Sequence, residues 1–290
     1  MSENRLHPPP FAENNGRAEP YPTLLPKPHR SVTGLPRFLT TFIGRDEAIG
    51  NVTALLSRDD VRMLTLVGPG GSGKTRLAVE VVERLPPGAW DDIWFISLAA
   101  VRDPEFVVPD IAQAVGVGQV SDRPVAETLI GFLRERHALL VIDNFEPVVA
   151  AGPDLAILLR ACPGITMLVT SRIALQVSGE HIVVVPPLEL PGTTHLPIER
   201  LRSLESVRLF VERAEASSST FALTEENASV VVDICRRLDG LPLALELAAA
   251  RCGMLSPAAL LQVLAHQRGI LSDGPRDAPE RHRSMRSAIA

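Results

Sequence analysis

The chain has 290 residues, of which 46% are hydrophobic and 22% are charged. This composition excludes a wholly disordered chain, and the length favours about two domains. The formal net charge of −5 excludes a global positive field, so we expect no direct binding to DNA or to an anionic lipid surface.

The three cysteines lie far apart in the sequence, and none belongs to a CxxC pair. This spacing predicts buried free thiols and argues against a zinc site or a disulfide framework. No apolar run approaches the ~20 residues that a membrane-spanning helix needs, and the first residues lack the apolar segment of a signal peptide. We therefore expect a soluble, cytoplasmic protein that makes no membrane contact.

Residues 1–36 contain eight prolines and few large aliphatic side chains. Such a segment buries too little apolar surface to offset the entropy of ordering it, so we predict a disordered, Pro-rich N-terminal arm. The arm is either a plain linker or a segment that a partner recognises, and the composition favours the linker.

Residues 37–190 alternate between short β-branched runs and helical patterns. Strands are predicted at 61–67, 92–98, 138–143, 165–170 and 181–185. Helices are predicted at 74–85, 104–115, 125–136 and 147–161. Strands that are apolar on both sides indicate a parallel sheet covered on both faces. We predict an α/β domain with a doubly wound, five-stranded parallel sheet, whose ligands bind at the carboxyl ends of the strands.

After residue 190 the β pattern ends. Four helices are predicted, at 206–217, 225–238, 241–252 and 257–266. Ser256 and Pro257 supply an N-cap and a first-turn proline for the last of them. We predict a small all-α helical domain over 191–270, and we interpret residues 271–290 as a linker followed by the start of a further, truncated unit.

A complete GxxxxGK[ST] motif follows the first predicted strand directly and opens a helix. Its residues are Gly68, Pro69, Gly70, Gly71, Ser72, Gly73, Lys74 and Thr75. The glycines let backbone N–H groups converge on a β-phosphate, and the helix N-terminus adds positive partial charge. Lys74 is expected to reach the β- and γ-phosphates, and the Thr75 hydroxyl to bind Mg²⁺. With Arg76, they form the expected phosphate side of an ATP or ADP site.

Asp143 ends a predicted strand whose other residues are all apolar. An unpaired buried carboxylate is costly, so we expect Asp143 to face the phosphate loop and hold Mg²⁺. The next residue, Asn144, stands where many ATPases of this architecture have a water-activating carboxylate, and an amide cannot accept that proton. Glu146 is either the substitute base or a carboxylate that the first turn of a helix favours.

Further residues stand at the ends of predicted elements. If the strand at 165–170 lies between the phosphate-loop strand and the Asp143 strand, Thr170, Ser171 and Arg172 point at the γ-phosphate. Arg172 then distinguishes ATP from ADP by charge-assisted hydrogen bonds. The alternative is an exposed arginine at a strand end. Pro242 begins the helix at 241–252, where proline is common for reasons of helix geometry alone.

The order of these motifs resembles the nucleotide-binding module of the NB-ARC group, within the STAND class of P-loop signalling ATPases. More narrowly, it resembles the module of bacterial LuxR-type and related transcriptional regulators. The resemblance covers about residues 36–290, and its matching stretches are 42–45, 68–75, 139–146, 168–172, 179–188, 206–214 and 240–250.

The resemblance implies a P-loop NTPase sheet and specific contacts to the base. Ile43, Gly44 and Arg45 are expected beside adenine and ribose, and Pro242 is expected to pack against the adenine. Arg172 is implied to be a sensor of the nucleotide. ADP would hold the two domains together, and ATP would free the module for self-association or for contact with other signalling domains. Residues 271–290 resemble the start of the winged-helix domain that follows in this family.

We therefore predict an ATP/ADP-binding signal-transduction switch, part of a transcriptional regulator, with Lys74, Asp143, Glu146 and Arg172 as the candidate catalytic residues. Asn144 after the magnesium carboxylate favours slow ATP hydrolysis. One alternative is a metabolic P-loop enzyme, such as a small-molecule kinase or ATPase, which would need an acceptor pocket and an arginine-bearing lid. The other is a degenerate nucleotide-binding interaction module, against which the complete phosphate loop argues.

Overall fold

The computed structural model describes residues 31–118, 123–192 and 196–266. A parallel sheet forms the centre of the first part. Its strands are β1 (Ser31–Thr33), β2 (Met63–Val67), β3 (Asp92–Ser97), β4 (Ala138–Asp143), β5 (Ile165–Ser171) and β6 (Glu180–Val184). They lie in the order β1-β3-β4-β5-β2-β6, and every pair is parallel. Strand β5 therefore lies between β2 and β4, the arrangement that the expected role of Arg172 requires.

Helices cover both faces of this sheet. They are α1 (Asp46–Leu56), α2 (Lys74–Arg84), α3 (Val107–Ala114), α4 (Val125–Leu133) and α5 (Gly152–Ala161), with 3-10 turns at Pro104–Phe106 and Glu146–Ala151. Every residue of β4 is buried. Leu139 and Val141 belong to the apolar cluster of α1 and α2, whereas Leu140 and Ile142 belong to the cluster of α3, α4 and α5. The alternation confirms a doubly wound sheet with two apolar layers.

A helical region follows the sheet. Its helices are α6 (Ile198–Ser203), α7 (Glu205–Ser217), α8 (Ala228–Arg237), α9 (Pro242–Ala249) and α10 (Pro257–His266), with a 3-10 turn at Ala250–Gly253. Phe210, Val231 and Leu245 are fully buried in its apolar cluster, which Ile43 and Leu188 join from outside the region. Every helix in the described ranges is too short or too polar to span a lipid bilayer.

The predicted fold class is confirmed, with two corrections. Among the described residues the sheet has six strands rather than five, because Ser31–Thr33 pairs with the start of β3. These three residues belong to the arm that was predicted to be disordered. The segment has only three residues, all of them exposed, so the sequence shows no apolar pattern that would predict a strand. Only the pairing with β3 identifies it. Residues 1–30 and the predicted unit at 271–290 lie outside the described residues.

Helices α1 and α6 were not predicted. Gly50, Asn51 and Thr53 lower the helix propensity inside α1, and α6 has only six residues, too few for a periodic pattern. The three cysteines are buried and free, as predicted, and burial raises the pKa of Cys235 to about 12 and that of Cys252 to about 11. The division into domains at 37–190 and 191–270 stays a prediction.

Candidate nucleotide-binding site

The phosphate loop joins the carboxyl end of β2 to the start of α2, and its backbone depends on glycine. Gly71 and Gly73 have φ angles of 76° and 91°, in the left-handed region that glycine adopts without strain. A Cβ atom on Gly68 would lie 2.4 Å from the carbonyl oxygen of Val185, closer than any side chain permits. The GxxxxGK[ST] spacing thus reflects backbone shape as well as ligand chemistry.

The loop presents donors to an anion. The first hydrogen bond of α2 runs from the Leu77 amide to Gly73 O at 2.9 Å, so the amides of the preceding turn have no acceptor within the helix. Ser72 is fully buried, and its Oγ has no hydrogen-bond partner among the described residues. An orphaned buried hydroxyl beside a helix N-terminus is a site that fits a phosphate group.

Lys74 is held against the loop rather than extended into solvent. It is only 9% exposed, and its Nζ donates to Gly68 O at 2.8 Å and to Pro69 O at 3.0 Å. Main-chain carbonyls are neutral acceptors, whereas a phosphate would offer the buried ammonium a charge-assisted hydrogen bond. The ammonium group of Lys74 therefore lies where it could donate a hydrogen bond to an anion bound in the loop.

Asp143 joins three elements at the carboxyl edge of the sheet. Its Oδ1 accepts from Thr75 Oγ1 at 2.6 Å and from Thr170 Oγ1 at 2.7 Å, and the residue has no solvent exposure. A carboxylate beside a threonine hydroxyl is the oxygen donor set that Mg²⁺ takes in phosphate sites, where the ion keeps several waters. Thr75 and Asp143 therefore fit the predicted magnesium site.

Thr170 was predicted to point at the γ-phosphate, and its contact with Asp143 was not predicted. Besides donating to Asp143, its Oγ1 accepts the amide of Asn144 at 3.0 Å, and its carbonyl accepts the amide of Phe145 at 2.9 Å. Asn144 has a φ angle of 67°, an uncommon value for a residue with a side chain. Thr170 thus fixes the corner that follows the carboxylate. Its place at a strand end, next to the Asp143 strand, was the available signal.

The structure brings Glu146 and Arg172 together. Arg172 Nε donates to Glu146 Oε1 at 3.1 Å, with the side chains 31% and 20% exposed. The other carboxylate oxygen of Glu146 is buried and has no hydrogen-bond partner in the described part of the chain. Glu146 is also the first residue of a 3-10 turn, the position that the first-turn interpretation describes, and its role as a base stays a prediction.

The 43–45 segment forms a tight corner between the sheet and the helical region. Gly44 and Arg45 have φ angles of 70° and 64°. The Arg45 amide donates to Glu205 Oε1 at 2.6 Å, and a Cβ atom on Gly44 would lie 2.2 Å from that same oxygen. The Arg45 guanidinium donates to Pro186 O at 2.6 Å, while burial lowers its pKa and nearby Glu205 raises it. Glu205 was missed because a glutamate at a helix start is ordinary.

Helix α9 meets the phosphate loop directly. The Leu243 amide donates to Gly71 O at 3.3 Å. A Cβ atom on Gly73 would lie 3.8 Å from Pro242 Cγ and 4.0 Å from Arg45 Nη1, so two of the four predicted base-side residues flank the loop. The side chain of Arg76 instead contacts Thr40, away from the loop.

Several known proteins are similar to this chain in sequence or in fold. Residues 58–180 match a protein family described as an AAA domain. These residues are similar to that family, and the fold is P-loop NTPase-like. Among solved structures, Cdc6p from Pyrobaculum aerophilum aligns with this chain at a TM-score of 0.50. That alignment has 15% identity and covers 73% of this chain and 62% of that chain. This likeness establishes the fold alone.

Relatives at higher identity are longer than this chain. An uncharacterized protein of Mycobacterium tuberculosis is 37% identical over 253 residues, which cover 87% of this chain and 60% of that protein. Another M. tuberculosis protein, named as a candidate HTH-type transcriptional regulator, is 35% identical over 237 residues, or 81% of this chain and 25% of that protein. The chain therefore spans 60% or less of these two relatives.

The role of Thr170 in this P-loop NTPase domain leads to a stability prediction. Thr170→Val keeps the shape of the side chain but leaves the Asn144 amide without its acceptor and Asp143 without one donor. We expect the free energy of unfolding to fall by about 1–3 kcal/mol in a urea titration, and Thr170→Ser to retain most of it. The half-buried Thr166 on the same strand provides the control variant Thr166→Val. Equal stability of the two valine variants would contradict the assignment.

Proposed function

We propose that this chain is an ATP/ADP-binding switch module with slow ATP hydrolysis, and that it forms part of a bacterial transcriptional regulator. One observation carries the proposal: helix α9 contacts the phosphate loop, through the Leu243 amide on Gly71 O and through Pro242 beside Gly73. A nucleotide bound in the loop would touch both the α/β sheet domain and the helical region. Its presence would therefore bias how the two parts pack.

The resemblance of the motif order to NB-ARC modules supports this proposal, as does the relative named as a candidate HTH-type transcriptional regulator. In this function the nucleotide-binding domain spans 37–190 and the helical domain spans 191–270. The output would reach partners through self-association or through other signalling domains in the ATP state. The intact Lys74, Thr75 and Asp143 contacts argue against a module that has lost nucleotide binding.

Separate residues of the site would bind separate parts of the nucleotide. Lys74 would donate to the β- and γ-phosphates, while Thr75 and Asp143 would hold Mg²⁺, which neutralises phosphate charge when bound. Pro242 and the 43–45 corner would enclose the base side. The loop glycines would bring backbone N–H groups to the β-phosphate without a side chain in the way.

Arg172 would detect the γ-phosphate by exchanging its ion pair with Glu146 for a contact with the phosphate. In the structure its guanidinium pairs with Glu146. A γ-phosphate within reach would compete with Glu146 for that guanidinium, and the exchange would release the carboxylate to orient or deprotonate water. Because Asn144 cannot accept a proton and Glu146 starts in an ion pair, hydrolysis would be slow.

The lysine contact is tested by Lys74→Ala. Loss of a charge-assisted hydrogen bond to phosphate is expected to weaken ADP and ATP affinity about 10- to 100-fold in isothermal titration calorimetry. Arg84→Ala, at the exposed end of the same helix, removes a positive charge without touching the loop and should leave affinity unchanged. Unchanged affinity in Lys74→Ala, with a native circular dichroism spectrum, would exclude the assignment.

The sensor role of Arg172 is tested by Arg172→Ala. We expect the ratio of ATP to ADP affinity to move towards one, because only the triphosphate presents the γ-phosphate that this guanidinium contacts. The control is Arg160→Ala on the exposed face of α5. If both variants keep the wild-type ratio, Arg172 is an ordinary exposed arginine at a strand end.

The switch itself is tested by the nucleotide that the protein carries. The chain is purified gently and denatured, the released nucleotide is identified by chromatography, and ATP turnover is measured on the same preparation. We expect stoichiometric ADP and a turnover slower than about one per minute, far below the usual enzyme range. An empty site with rapid multiple turnover would instead identify a metabolic enzyme.

A further inference from the structure

Glu246 lies one turn after Pro242 on α9 and contacts two arginines from different parts of the chain. Its Oε1 lies 3.2 Å from Arg213 Nε, on α7 of the helical region. The same oxygen lies 3.6 Å from Arg76 Nη1, in the first turn of α2 beside the phosphate loop. We call these three residues the Glu246 cluster.

Both arginines of the Glu246 cluster also hold the segment that leads into the 43–45 corner. Arg76 donates to the hydroxyl and the carbonyl of Thr40, and its guanidinium lies 5.0 Å from the centre of the Phe38 ring. Arg213 Nη2 donates to Thr41 O at 2.7 Å. The cluster therefore joins three pieces: the loop helix, the helical region and the chain that enters the base side of the site.

The cluster depends on its single bridging carboxylate. The Arg76 and Arg213 side chains are only 19% and 12% exposed, so water screens their mutual repulsion weakly. Burial lowers the pKa of Arg76, and Glu246 raises it. Without Glu246, two partly buried cations would face each other across the junction. Glu212 also pairs with Arg213, at 3.0 Å, within α7, and it raises the pKa of Arg76 less than Glu246 does.

We propose that Glu246 is a positioning residue that holds α9 against the phosphate loop and thereby sets the rate at which nucleotide leaves. The inference rests on the proposed function. Pro242 and Leu243 contact the loop from the first turn of the helix that carries Glu246. When the Glu246 cluster opens, α9 is released from α2, and both loop contacts are released with it.

The test measures nucleotide dissociation directly. The protein is loaded with a fluorescent N-methylanthraniloyl ADP and Mg²⁺, and excess unlabelled ADP is added. We expect Glu246→Gln to speed dissociation about tenfold while association stays within about twofold, because partly buried contacts that close over a ligand affect mainly its escape. A general loss of structure would change both rates.

Glu212→Gln is the matched control. It makes the same chemical change beside the same arginine, at a carboxylate whose ion pair lies within α7. We expect its dissociation rate to stay within about twofold of wild type, as for a local ion pair. If Glu212→Gln and Glu246→Gln speed dissociation equally, the charge balance of Arg213 is responsible and the proposal is overturned.

Arg76→Gln removes the same bridge from the other side and guards against misfolding of a single variant. The double variant Arg76→Gln with Glu246→Gln should release ADP no faster than Arg76→Gln alone, because both changes break one shared interaction. If the two substitutions speed ADP dissociation additively in the double variant, the proposal is overturned. Thermal melting without nucleotide verifies that each variant is folded. Absence of any ADP binding by the wild-type protein would refute the proposed function itself, which distinguishes the two failures.

Discussion

The carboxylate of Asp143 has no exposure to solvent, and it ends a strand in which every residue is buried. A buried carboxylate is stable only when hydrogen-bond donors surround it. Two threonine hydroxyls supply them, Thr75 from the loop helix α2 and Thr170 from the neighbouring strand β5. Because the donors belong to different elements, satisfying this one charge fixes the loop helix against two strand ends. The corner at Asn144, and with it the approach of Glu146 to Arg172, follows from the same threonine.

Two kinds of contact join the helical region to the sheet, and they differ in what breaking them costs. Ile43 and Leu188 are buried in the apolar cluster of the helical region, and exposing them to water is unfavourable in any state of the protein. Near the loop several contacts are polar, among them Glu205 with the Arg45 amide and Glu246 with Arg76. Polar groups can exchange a protein partner for water or for a ligand. The apolar contacts therefore suit a permanent tether, and the polar contacts suit a junction that opens and closes.

Sequence patterns predicted those parts of the molecule that depend on near neighbours along the chain. The phosphate loop and Asp143 follow from a motif and from an apolar run that ends in a carboxylate, and the sheet class follows from alternation of strands and helices. Strand β1 was missed because three exposed residues carry no pattern of their own. Glu205 and Glu246 were missed for another reason: a glutamate on a helix surface is usually solvated, and only the tertiary fold shows that Arg45, 160 residues from Glu205, turns towards it. Likewise, the position of Arg76 beside the loop predicted a phosphate contact, whereas its side chain lies on Thr40.

The strengths of these contacts bear on the proposed switch. A typical hydrogen bond contributes about 0.5–1.5 kcal/mol to stability, and one to a charged group about 1.5–3 kcal/mol. A ligand at a hundred times its dissociation constant stabilises the state that binds it by about 2.7 kcal/mol. The junction at Glu205 and Glu246 consists of a few such contacts, so the free energy of nucleotide binding is of the same order as the free energy that closes the junction. A ligand can shift an equilibrium only by its differential affinity for the two states. In the proposed switch, a polar junction of this size would let nucleotide binding decide whether the two parts stay together. A fully apolar interface in its place would keep them together whether or not a nucleotide was bound.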